Sequence, residues 1–188
     1  MSNRQVLILA GPGGNGGGGL AAARRLHVWG ATATVVLASE PEKLAPVTRH
    51  QLKALQAASV PVHQPQGGLP PHHIILDALL GYSLQGAPRP PIDHLLREAN
   101  GSPAPMLSLD LPTGLDPDSG SPAEPTARAN ATMTLGLPKT GLFAEAAANY
   151  VGDVWLADIS LPPALYEQLG IHVPSNLFAK DDLIQIAR

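Results

Sequence analysis

The sequence predicts an α/β fold of β-α units around a mostly parallel central sheet. Short β-branched runs alternate along the chain with longer Ala- and Leu-rich segments, the pattern of β-α units. The first run passes directly into glycines and a helical stretch, "LILAGPGGNGGGGLAAARRL" at 7–26. Two later runs, "IILDALLG" and "LSLDLPTG", close on an Asp, where an open parallel sheet presents its ligand site.

Each element has its own signal. Residues 5–10, "QVLILA", form the first strand. The helix after the glycines runs to about Trp29, where Gly30 supplies the cap. "TATVVLA" at 32–38 is the second strand. Leu44, Val47, Leu52 and Leu55 stand at helical spacing within 41–58, with Pro41 suited to a first turn. "SVPVHQP" and "HHIILDALLG" (72–81) are the third and fourth strands, and 90–99 is a helix. "PMLSLDLPTG" (105–114), "ANATMTLG" (129–136) and "GDVWLADIS" (152–160) are further strands, with a loop at 117–125. The tail from Leu165 is expected to hold a turn or two of helix.

With 188 residues and 44% hydrophobic content, the chain is expected to form one domain, 1–188, with a substantial core. A net charge of −3 and no basic cluster point away from nucleic acid and from membrane surfaces. The absence of cysteine excludes disulfides and thiolate metal sites and leaves the compartment open; a cytoplasmic protein is the default. No apolar run approaches a signal core or a membrane span.

The glycine segment suits an anion, because a strand–turn–helix unit gathers backbone N–H groups at a positive helix end. A nucleoside-triphosphate loop would also need Gly-Lys-Ser/Thr, which is missing. Gly11, Gly13 and Gly16 satisfy G-x-G-x-x-G, but an ordinary dinucleotide site wants an acid ending the second strand. That strand ends "VVLAS", and Glu40 arrives late, beside Pro41. Close helix–strand packing accounts for some of the seven glycines within 11–19, fewer than are present.

Asn15, Asp77 and Asp110 all fall at carboxyl ends of strands. A lone Asp there is often only a turn former; two beside a glycine segment point to a site. The Pro-Thr-Gly after Asp110 demands a tight turn that aims Asp110 and the Thr113 hydroxyl inward. Asn15, Asp77 and Thr113 offer only oxygen donors and one charge, which suits a weakly held monovalent cation. His72 and His73 face opposite sides of a strand and cannot share a metal. Lys139 in "GLPKTGL" reads equally as a phosphate contact and as a solvated turn residue.

The ordered set "ILAGPGGNGGGGLAAARRL", "LDALLGYSLQG", "LDLPTGLD" and "GLPKTGL" resembles the NAD(P)H-hydrate epimerases (the YjeF N-terminal domain) over roughly Val6 to Pro162. The resemblance implies a Rossmann-like three-layer α/β/α sandwich and an isomerase of nicotinamide nucleotide repair, interconverting the R and S forms of hydrated NADH and NADPH. It implies a potassium ion held by Asn15, Asp77 and Thr113, with Thr113 standing where the family usually has Ser. It implies substrate contacts from Gly14, Asn15, Gly16, Gly17 and Gly18. A second contact segment is Gly81, Tyr82, Ser83, Leu84, Gln85, Gly86 and Ala87. Asp110 is implied as the acid–base that meets the hydrated nicotinamide, and a homodimer is implied as the assembly. Gly14 and Gly18 replace an Asn and an Asp of the family segment, and the chain is expected to lack the family's leading helical segment. A non-catalytic module of the same fold, binding a nucleotide-like ligand or a protein, is the alternative. A third reading is an NAD(P)-dependent oxidoreductase.

Overall fold

The computed structural model describes residues 4–84, 86–174 and 176–186. Eight strands form one sheet in the order β3-β2-β1-β4-β5-β6-β7-β8. They are β1 (Gln5–Ala10), β2 (Thr32–Leu37), β3 (Val62–His63), β4 (Ile74–Ala78), β5 (Met106–Leu109), β6 (Ala131–Leu135), β7 (Asp153–Ala157) and β8 (Leu183–Ile186). The helices are α1 (Gly14–Val28), α2 (Pro46–Ala57), α3 (Ile92–Asn100), α4 (Ala148–Val151) and α5 (Pro163–Gln168). Among the described strands pairing is parallel from β3 through β7, and β8 runs antiparallel against β7. The expected α/β architecture with a mostly parallel sheet is therefore the observed one.

The period-2 alternation of β1 divides the core. Ile8 and Ala10 face Leu20 and Ala23 of α1 and Leu52 and Leu55 of α2. Leu7 and Leu9 face the opposite layer, where Ile92, Leu95, Leu96 and Ala99 of α3 pack. A third cluster forms beyond β5 from Leu111, Leu115, Leu142, Val151 and Val154. The order reverses between β1 and β4, so chain connections leave in opposite directions there and open a crevice beyond their carboxyl ends.

Three local differences from the sequence expectation have simple causes. The helix begins at Gly14, so the glycines from 14 to 19 are its first turns and the connecting segment is only Gly11–Gly13. The expected 41–58 helix breaks into a 3₁₀ turn, Pro41–Lys43, and α2, because Ala45 precedes Pro46 and is held extended (φ −56°, ψ 150°). The tail holds α5, as expected, and also β8, whose four residues find a partner only in β7. Among the described residues no helix is long and apolar enough to cross a membrane.

Candidate functional site

The glycine segment is anchored from behind by α2. Ala45 N donates to Pro12 O (2.9 Å) and the buried Thr48 hydroxyl donates to Gly13 O (2.7 Å). The first helical bond is Gly17 N to Gly13 O (3.1 Å), so the amides of Gly14, Asn15 and Gly16 lack an intrahelical acceptor. No side chain caps this end and no acid stands in the first turn, which leaves it positive. Close packing needs some of the glycines and not others. A Cβ on Gly11 would meet Leu79 O at 1.6 Å and one on Gly16 would meet Gly11 O at 1.9 Å. A Cβ on Gly14 meets nothing, and one on Gly18 meets only the end of the Leu109 side chain, at 2.9 Å.

Asp77 is fully buried at the end of β4. Its register partner on β5 is Ser108, whose hydroxyl donates to Asp77 Oδ2 (2.9 Å). The turn after β5 brings Thr113 back over it: Thr113 N donates to Oδ2 (2.9 Å) and the Thr113 hydroxyl to Oδ1 (2.7 Å). Leu79 N also reaches Oδ1, at 3.3 Å. Burial pushes the Asp77 carboxyl above its ordinary value, against the opposing pull of these Thr113, Ser108 and Leu79 donors. The Thr113 hydroxyl also lies 3.1 Å from Leu80 O, so one proton faces two acceptor oxygens. Asn15 Nδ2 donates to the same Leu80 O (3.0 Å). Asn15 and Thr113 of the expected trio thus meet at the Leu80 carbonyl, a backbone oxygen that side-chain motifs do not reveal, and Asp77 joins them through the Thr113 hydroxyl. Among the described residues there is no cluster of three or more His, Cys, Asp or Glu that could hold a metal.

Asp110 sits one strand over, buried, at the end of β5. Leu111 N donates to Leu109 O (2.9 Å) across Asp110, whose φ is +69°. This γ-turn around a non-glycine residue is a strained conformation that the surrounding fold must impose. The neighbouring β6 ends in the same kind of turn at Gly136 (φ +70°), closed by Leu137 N to Leu135 O (2.8 Å). Asp110 Oδ1 accepts from Leu135 N (3.2 Å) and forms an ion pair with Lys139 Nζ. Lys139 Nζ also reaches Thr134 Oγ1 and Leu135 O, each at 3.2 Å. Lys139 is therefore neither a solvated turn residue nor free to meet phosphate. The other oxygen, Oδ2, makes no hydrogen bond among the described residues. It faces the crevice near Gly81, whose Cβ would lie 3.6 Å from it and 3.4 Å from Asn15.

Gly81–Leu84 and the pair Gly86 and Ala87 form the opposite wall. Leu84 N donates to Gly81 O (3.2 Å), and Tyr82 is two-thirds exposed (68%). Ser83, Gly86 and Ala87 are exposed as well, and Gln85 lies outside the described residues. The histidines stand apart from all of this. His72 is held by Pro70 O (2.6 Å) and Ser102 Oγ (2.8 Å), while His73 Nδ1 accepts from Gln5 N (3.0 Å).

A family model described as "YjeF-related protein N-terminus" matches residues 1–141. The chain is 41% identical over 170 residues to an NAD(P)H-hydrate epimerase of Dehalogenimonas lykanthroporepellens, covering 89% of this chain and 66% of that one. It is 38% identical over 168 residues to the bifunctional NAD(P)H-hydrate repair enzyme Nnr of Pyrobaculum aerophilum, covering 85% of this chain and 34% of that one. The chain thus spans under two thirds of the first relative's length and about a third of the second's. The crystal structure of yeast ynu0 superposes with a TM-score of 0.81 at 24% identity, over 98% of this chain and 78% of that one, which shows the shared fold.

Proposed function

The chain belongs to the YjeF-related N-terminus family, and on that premise we propose that it is an NAD(P)H-hydrate epimerase, an isomerase of nicotinamide nucleotide repair. The observation that carries the reading is the convergence of three features on one crevice. These are the uncapped amides of Gly14–Gly16, the buried Asp77–Thr113 pair and the inward-facing Oδ2 of Asp110.

In this reading the amides of Gly14, Asn15 and Gly16, together with the Gly81–Ala87 wall, hold the substrate's phosphates. Gly18 extends the same helical surface, while Gly17 is buried against Thr48 of α2, so its expected contact with the substrate is not one its outward face can make. The hydrated ring then lies over the end of β5, with its hydroxyl-bearing carbon beside Asp110 Oδ2. Asp110 rests as the carboxylate of its Lys139 ion pair, takes one proton onto Oδ2 from solvent, and gives it to that hydroxyl as the adjacent ring nitrogen's lone pair expels it as water. The resulting carboxylate, held by Lys139, stands beside the planar iminium. Water adds to either face of the iminium and returns its proton to the same oxygen, so both epimers are reached and no net proton is consumed. Oδ1 stays with Lys139 and Leu135 N throughout, which keeps Oδ2 aimed at the ring.

The donor set around Leu80 O suits potassium. Its oxygens are hard and carry one charge, with Asn15 offering Oδ1 once its amide turns from Leu80 O, and a cation there would offset the burial that disfavours ionised Asp77. Asn15, Asp77 and Thr113 would hold it, and it would supply fixed positive charge beside the phosphates. The reading takes 1–188 as one epimerase domain acting as a cytoplasmic homodimer. The test follows the epimer ratio of hydrated NADH and NADPH by chromatography. Catalysed approach to the equilibrium ratio is expected; an unaccelerated rate with retained binding would leave the non-catalytic module as the better reading.

A further inference from the structure

Resting on the epimerase reading, we infer that the cavity beyond β2 and β3 is the subsite for the adenosine half of the dinucleotide. This cavity, of about 700 Å³, opens at the carboxyl ends of β1, β2, β3 and β4. Its size falls within the range of small-molecule sites. It shares Pro12, Leu80, Leu84 and Ala87 with the crevice walls that take the phosphates, so the two spaces are continuous.

Strand order gives the reach. Asp110 ends β5, and Ser39 and Glu40 follow β2, three strands away through β4 and β1. At the usual spacing that separation is roughly 14 Å. With the nicotinamide ring over β5 and the phosphates over β4 and β1, a mononucleotide ends before the cavity and an extended dinucleotide enters it. The chemistry of the lining fits such a guest. Ile92, Pro65 and Pro91 offer apolar surface to a base, while Glu40, Lys43 and Arg89 stand on the rim. None of these three charged side chains is in an ion pair among the described residues. Glu40, which looks displaced along the sequence, lines the cavity where an acid would accept hydrogen bonds from a ribose diol. Lys43 and Arg89 outnumber it, so the rim favours a ribose carrying a 2′-phosphate.

The experiment compares the chain with a Lys43→Ala/Arg89→Ala variant on three substrates: hydrated NADPH, hydrated NADH and the hydrate of reduced nicotinamide mononucleotide. Both substitutions are at exposed positions, so the variant folds. The KM for hydrated NADPH is expected to rise about tenfold relative to that for the mononucleotide hydrate, and more than that for hydrated NADH. Equal KM changes on all three, or none on the dinucleotides, would overturn the assignment. Calorimetry with ADP-ribose and with 2′-phospho-ADP-ribose reads the cavity without catalysis. Weaker binding of the second ligand to the variant supports the subsite even if the wild-type chain exchanges no epimers. Unchanged binding of both ligands removes the subsite even if exchange is fast.

Discussion

The ammonium of Lys139 is bound to one oxygen of Asp110, to Thr134 Oγ1 and to Leu135 O, and the second oxygen of Asp110 is left facing Gly81 and Asn15. Two γ-turns at the ends of adjacent strands create this arrangement. The strained turn at Asp110 lifts its carboxylate above the sheet, and the Gly136 turn returns the chain so that Lys139 lands on it. Lys139→Met is expected to lower kcat about 100-fold with little change in KM, because the carboxylate loses its aim and not its substrate contacts. Lys139→Arg should recover part of the loss. A KM effect without a kcat effect would return Lys139 to phosphate binding.

The glycines divide into structural and replaceable positions. Gly11→Ala forces a methyl into the Leu79 carbonyl and is expected to cost about 3 kcal/mol in denaturant melts. Gly14→Asn has open space and should stay within about 0.5 kcal/mol of the parent. A large loss at Gly14 and none at Gly11 would contradict the packing described here.

Asp77 gives a cation and pH dependence whose signs are linked. Its folded carboxyl holds a proton more tightly than the unfolded chain does, so this residue's stability contribution is complete below the ordinary carboxylate range. That contribution is lost as pH rises through the elevated folded value. At the proposed site potassium would bind the ionised form and reverse the loss, so its stabilisation is expected to grow as pH rises. At about 100 times its dissociation constant the gain should be about 2.7 kcal/mol, absent with tetramethylammonium at equal ionic strength and absent in Asp77→Asn. Equal stabilisation by both cations, or a gain retained in Asp77→Asn, removes the potassium site.

Much of this was legible in the sequence because it is local. Strand–helix alternation, the switch from "LILA" into a glycine-rich helix start, and Asp residues closing "IILD" and "LSLD" are all read within a few residues. What was not legible depends on partners far along the chain. Lys139 is 29 residues from Asp110, and nothing in "GLPKTGL" says that a neighbouring strand will end under it. β8 is four residues long and half exposed, so only β7 makes it a strand. Leu80 enters through its carbonyl, which no side-chain motif records, and Glu40 is placed by a 3₁₀ turn that its sequence neighbour Pro41 begins.

The most direct measurement compares epimer exchange of hydrated NADH by the chain and by Asp110→Asn. Asn is nearly isosteric and tolerates positive φ, so the turn and the fold persist while the proton-transferring oxygen is lost. Exchange should fall by about 100- to 10,000-fold, with ADP-ribose affinity kept within about twofold. Full exchange by Asp110→Asn would contradict the central claim that this carboxyl moves the proton.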